Sequence, residues 1–80
     1  MNETKTSDRL AELTTEELLT EMTETLRGVQ VITNYVRERV EESDNLGEKL
    51  AFVSYLTAKT TPMLEEVQAL MSEYNARQGR

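Results

Sequence analysis

Leu13-Thr14-Thr15-Glu16-Glu17-Leu18 is the stretch from which the architecture follows. Its Thr14 and Glu17 have the spacing of a capping box: the Thr14 hydroxyl can accept from the Glu17 amide while the Glu17 carboxylate accepts from the Thr14 amide. Leu13 before the cap and Leu18 after it stand where a hydrophobic staple would close over the helix start. From that start the apolar residues recur at intervals of three and four: Leu19, Met22, Leu26, Val29, Thr33, Val36, Val40. This is a heptad seam with one polar member. It predicts a helix over about 15–43, roughly 43 Å long at 1.5 Å per residue.

Turn formers then cluster in Ser43-Asp44-Asn45-Leu46-Gly47, and a second seam follows: Leu46, Leu50, Val53, Thr57, Thr60, Leu64, Val67, Met71, Tyr74. Its phase passes through Pro62 unchanged, which predicts one helix over about 46–77, kinked at Pro62. The alternative is a break there, with Thr61 capping a third helix and the chain forming a three-helix bundle. Two helices of similar length joined by about three residues must lie antiparallel. The expected fold is therefore all-α: an antiparallel helical hairpin over residues 14–80, preceded by an arm at 1–13 with a short helical turn around Asp8–Leu13.

Beside each seam runs a further apolar column, Leu18 and Ile32 in the first helix and Leu56, Met63 and Leu70 in the second. A face with three apolar positions in seven belongs to a helix with more than one neighbour. Leaving those five side chains wet would forfeit on the order of 10 kcal/mol, at ~1.5–3 kcal/mol each. A homodimer forming a four-helix bundle is expected to cover them. The interface would draw on Leu18, Leu19, Met22, Leu26, Val29, Ile32, Val36, Leu56, Met63, Leu64 and Leu70.

The 80-residue chain carries nine basic and fifteen acidic residues, net −6, with no Cys and no His. These counts exclude a disulfide framework, a thiol nucleophile and histidine-based catalysis or metal binding. An acidic chain is also a poor binder of nucleic-acid phosphates. No catalytic residue, cofactor or metal site is expected. No segment reads as a signal or a membrane span, and the expected location is the cytoplasm.

Residues 1–45 hold eleven acids and five bases, so all the excess charge lies in the first half. Glu17, Glu21 and Glu24 form a carboxylate stripe on one helical face, either a docking face or simply a solvated one. Val31 and Tyr35 interrupt that face, and Phe52 and Tyr55 lie outside the second seam. In a hairpin turning near Asn45, Tyr35 and Tyr55 reach the same height. These seven residues are the candidates for binding a protein partner. The expected function is a small acidic interaction module (a regulator, inhibitor or adaptor) working as a homo-oligomer. The alternatives are a self-assembling scaffold or assembly-chaperone subunit, and an acidic mimic of nucleic acid of the kind phages or mobile elements use as inhibitors.

Overall fold

The structure is a computed structural model that describes residues 9–79. The part of the expected arm at residues 1–8, and Arg80, lie outside the described residues. The fold is the all-α hairpin: a first long helix, Thr15–Glu42, and a second, Leu46–Gln78, packed antiparallel. A short helical turn at residues 9–12 precedes them.

The ends form where their local chemistry dictates. Both bonds of the capping box are present, Glu17 N–H to Thr14 Oγ1 at 3.0 Å and Thr14 N–H to Glu17 Oε1 at 2.8 Å. Leu13 and Leu18 meet in one apolar cluster, completing the staple. The first helix stops at Ser43, which turns to extended backbone while its amide still donates to the Arg39 and Val40 carbonyls. Asn45 caps the second helix, its Oδ1 accepting from the Glu48 amide at 3.0 Å. Glu48 then sits in the first turn, where the positive end of the helix dipole favours it.

The second helix runs unbroken through Pro62, so the three-helix alternative does not form. Proline cannot donate to the carbonyl four residues back, here Ala58. Pro62 and Ala58 are both exposed, which leaves water free to take that bond. Just before the proline, Thr57, Thr60 and Thr61 each donate a side-chain hydroxyl to the carbonyl four residues back, at 2.7–3.0 Å. Their hydroxyls are thereby satisfied inside the helix.

The helices meet along a different line from the one the sequence suggests. The inward positions are Leu18, Met22, Thr25, Val29, Ile32 and Val36 in the first helix. In the second they are Lys49, Phe52, Leu56, Thr60, Met63, Val67 and Leu70. Leu18 and Leu70 are 0% exposed and Val36 is 2% exposed. By contrast Leu19 and Leu26 of the expected first seam, and Leu46, Leu50, Val53, Leu64 and Met71 of the expected second, stand exposed. Met22, Val29, Val36, Thr60 and Val67 of the expected seams stay inside, while the other half of each seam turns outward and the third column takes its place. The two lie about 100° apart on each helix, and 3/4 spacing alone does not say which of them a helix turns toward its own partner.

At the terminal end Leu10, Leu18 and Leu70 form a buried cluster flanked by Leu13, Met22, Ala69 and Tyr74. Midway along, Gly28 lets the helices approach closely: a Cβ there would stand 2.8 Å from the Met63 methyl.

Candidate interaction surfaces

The two broad faces of the hairpin differ in kind. Both helices are right-handed and run in opposite directions. Positions just before an inward residue therefore share one face, and positions just after share the other.

On the first face lie Glu21, Pro62, Glu66 and Ala69 toward the terminal end. The segment from Arg9 to Leu13 packs there. Arg9 Nη1 bonds both carboxylate oxygens of Glu21, at 3.1 and 3.2 Å, and its Nη2 reaches Glu66 at 3.5 Å. One guanidinium thus ties the arm to both helices. From the second helix Arg77 closes the other side: its Nη2 donates to the Leu10 carbonyl at 3.0 Å, and Glu73 holds its Nε at 2.9 Å. Leu10 is pinned between these bonds and the Leu18–Leu70 cluster. We call this the arm face.

Farther along the arm face, at the turn end, Tyr35 and Tyr55 stand at the same level as expected. With Ala51 and Phe52 they line an apolar groove of about 360 Å³. Tyr35 and Tyr55 are half-exposed and Phe52 is half-buried. Two cations border it, the Arg39 guanidinium 5.1 Å from the Tyr35 ring centre and the Lys59 ammonium 5.7 Å from that of Tyr55. Val31, 63% exposed, stands near it on the same helix.

The opposite face takes no part in the Arg9 ion pairs that tie the arm to the two helices. Leu19, Leu26, Thr33 and Val40 of the first helix recur every seven residues. So do Leu50, Thr57, Leu64 and Met71 of the second. The antiparallel register, fixed by the Leu18–Leu70 and Gly28–Met63 contacts, sets them in four layers. From the terminal end these are Leu19 with Met71, Leu26 with Leu64, Thr33 with Thr57, and Val40 with Leu50. Val53 lies among them and Leu46, 77% exposed, continues the strip past the turn. The hydroxyls of Thr33 and Thr57 donate to the carbonyls of Val29 and Val53 at 2.7 and 3.0 Å, so neither brings an unmet donor to this surface. We call it the bare face.

The expected interface residues therefore divide. Leu18, Val36 and Leu70 are buried inside the single chain, and Met22, Val29, Ile32, Leu56 and Met63 are partly buried between its helices. Only Leu19, Leu26 and Leu64 are exposed on the bare face. Leu50, Val53 and Met71, assigned from sequence to the internal seam, join them there. The carboxylate stripe also divides, because Glu17 serves the capping box and Glu21 holds Arg9. Glu24 remains exposed, beside Leu19, Thr20, Thr23 and Arg27.

Sequence reasoning missed the Arg9 and Arg77 clamps. Their partners lie twelve to sixty-seven residues away, beyond any local pattern, although Arg77 four residues after Glu73 was a readable pair. Among the described residues no helix is long and apolar enough to cross a membrane, and no group of carboxylates could hold a metal ion. No protein-family model, curated protein or solved structure matches this chain.

Proposed function

We propose that this chain is a protein–protein interaction module that works as a homodimer, pairing with a second copy through the bare face and offering the aromatic groove at the turn end to another protein. The observation that carries the self-pairing is the four-layer apolar strip, a ready two-helix half of a four-helix bundle. The surface area supports it. The chain exposes 6105 Å², whereas a compact monomer of 9.2 kDa would expose about 4,900 Å². This excess of roughly 1,200 Å², spread over an elongated chain of 53 × 26 × 17 Å, leaves room for one side of a standard interface, about 800 Å² per partner. Twofold pairing of a single patch closes the assembly without leaving a second patch open.

The groove supports the second part of the reading. Tyrosines bordered by cations on an otherwise acidic surface suit a partner that inserts an apolar side chain. The acidic-mimic alternative has less behind it, since two of the three stripe carboxylates are engaged within the chain.

The test is the variant carrying Leu26→Glu and Leu64→Glu, which places two charges in one layer of the strip. Light scattering should give the monomer mass at concentrations where the wild type is dimeric. An unchanged mass would refute the bare face as the pairing surface. Tyr35→Ala should leave the dimer intact, and retention of any captured partner by that variant would remove the groove from the reading.

A further inference from the structure

We infer that the two copies pair about a twofold axis running along the bundle, so that both turns lie at the same end. This inference rests on the self-pairing proposed above. Two face-to-face arrangements of hairpins are available. With the axis along the bundle, each first helix lies against the partner's second helix and diagonal to the partner's first. With the axis across the bundle, the turns lie at opposite ends and each first helix lies directly against its own copy.

Charge separates the two. The first helix holds seven acids and three bases, net −4, and the second holds four acids and three bases, net −1. Adjacent helix axes stand about 8–10 Å apart, near the Debye length of about 8 Å at physiological ionic strength. The crosswise arrangement sets the two most acidic elements side by side at that separation. The lengthwise arrangement places the two acidic helices on the diagonal and brings Glu41 level with the partner's Lys49.

The strip has a direction that agrees. Its layers are not symmetric end to end, having two Leu/Met layers toward the termini, one threonine layer, and an aliphatic layer toward the turn. Lengthwise pairing sets each layer against its own copy, threonines against threonines and Leu26 and Leu64 against the same pair. It also sets Leu46, the most exposed apolar side chain of the strip at 77%, level with the partner's Leu46 across the diagonal. Crosswise pairing carries Leu46 to the level of Thr15 and Asn75, both polar, and sets the threonine layer against a leucine layer. A consequence is that the dimer presents its two aromatic grooves at one end, on opposite flanks, so a partner with twofold symmetry could engage both.

Because the chain contains no cysteine, a single Asp44→Cys substitution, at an exposed position of the linker, takes one spin label per copy. Pulsed dipolar spectroscopy on the full-length dimer should give a separation on the order of 20–30 Å, set by the spacing of packed helices plus the label arms. A distance near the 53 Å length of the molecule, at dimer mass, would overturn the lengthwise axis while leaving self-pairing standing. The absence of a dipolar signal at monomer mass would overturn both. A label at Gln78 repeats the measurement at the other end and should also give the short distance.

Discussion

Leu18 and Leu19 are neighbours in sequence with identical side chains, and the structure gives them different work. Leu18 is 0% exposed and Leu19 is 45% exposed. Truncation to alanine removes the equivalent of three methylenes, about 2.4 kcal/mol at 0.8 kcal/mol each. At Leu18 the whole of that is lost inside the chain, and the cavity left beside Leu10 and Leu70 raises the cost to about 2.7–5 kcal/mol. A small domain holds about 5–15 kcal/mol in all, so Leu18→Ala removes a large share at every protein concentration. At Leu19 about half of the transfer energy, near 1 kcal/mol, is already realised in the single chain. The other half is gained only when a second copy covers it, once per subunit. Leu19→Ala should thus cost about 1 kcal/mol in the monomer and weaken dimerisation by about 2.4 kcal/mol, roughly 50-fold. Urea melts followed by circular dichroism at two widely separated concentrations, with sedimentation for the dimer constant, separate the two effects. If Leu19→Ala left the dimer constant unchanged, or cost more than Leu18→Ala under monomeric conditions, the phase assigned to these helices would be wrong.

Three further outcomes follow from single contacts. Gly28→Ala should stabilise the hairpin by up to about 1 kcal/mol, the helix-propensity gain. The only atom its Cβ would crowd is the end of the flexible Met63 side chain, so a loss of stability on thermal melting would show that the helices cannot yield there. Arg77→Met should free the Leu10 carbonyl from its charged donor, worth about 1.5–3 kcal/mol. Amide exchange should then rise over residues 9–13 while the middle of the second helix stays protected; protection unchanged at 9–13 would exclude the clamp. Asn45→Ala should cost about 1 kcal/mol by removing the cap on the second helix, read as a lower urea midpoint at unchanged slope.

The parts of the fold legible in sequence are those decided within a few residues. Thr14 with Glu17, Leu13 with Leu18, and the Ser43–Asn45 turn give the helix ends to within a residue, because capping donors and acceptors lie three or four positions apart. Continuity through Pro62 was also readable, from the phase of the apolar residues on either side. The rotation of each helix about its own axis was not. Leu18 and Leu19, Met63 and Leu64, Leu70 and Met71 are adjacent apolar pairs, and either member could face inward until the packing of the other helix is known. The contacts that accompany the observed choice, Met63 against Gly28 and Leu10 against Leu18 and Leu70, are tertiary. The same limit applied to the candidate sites. The common height of Tyr35 and Tyr55 follows from counting back from the turn, whereas the engagement of Glu21 by Arg9 does not.

Sedimentation of the wild-type chain across a concentration series addresses the bare face without altering a residue. A strip that needs a second copy predicts a mass of twice 9.2 kDa at micromolar concentration, falling toward 9.2 kDa on dilution together with thermal stability. A chain that stays at 9.2 kDa throughout the micromolar range and melts cooperatively at a temperature independent of concentration would contradict it.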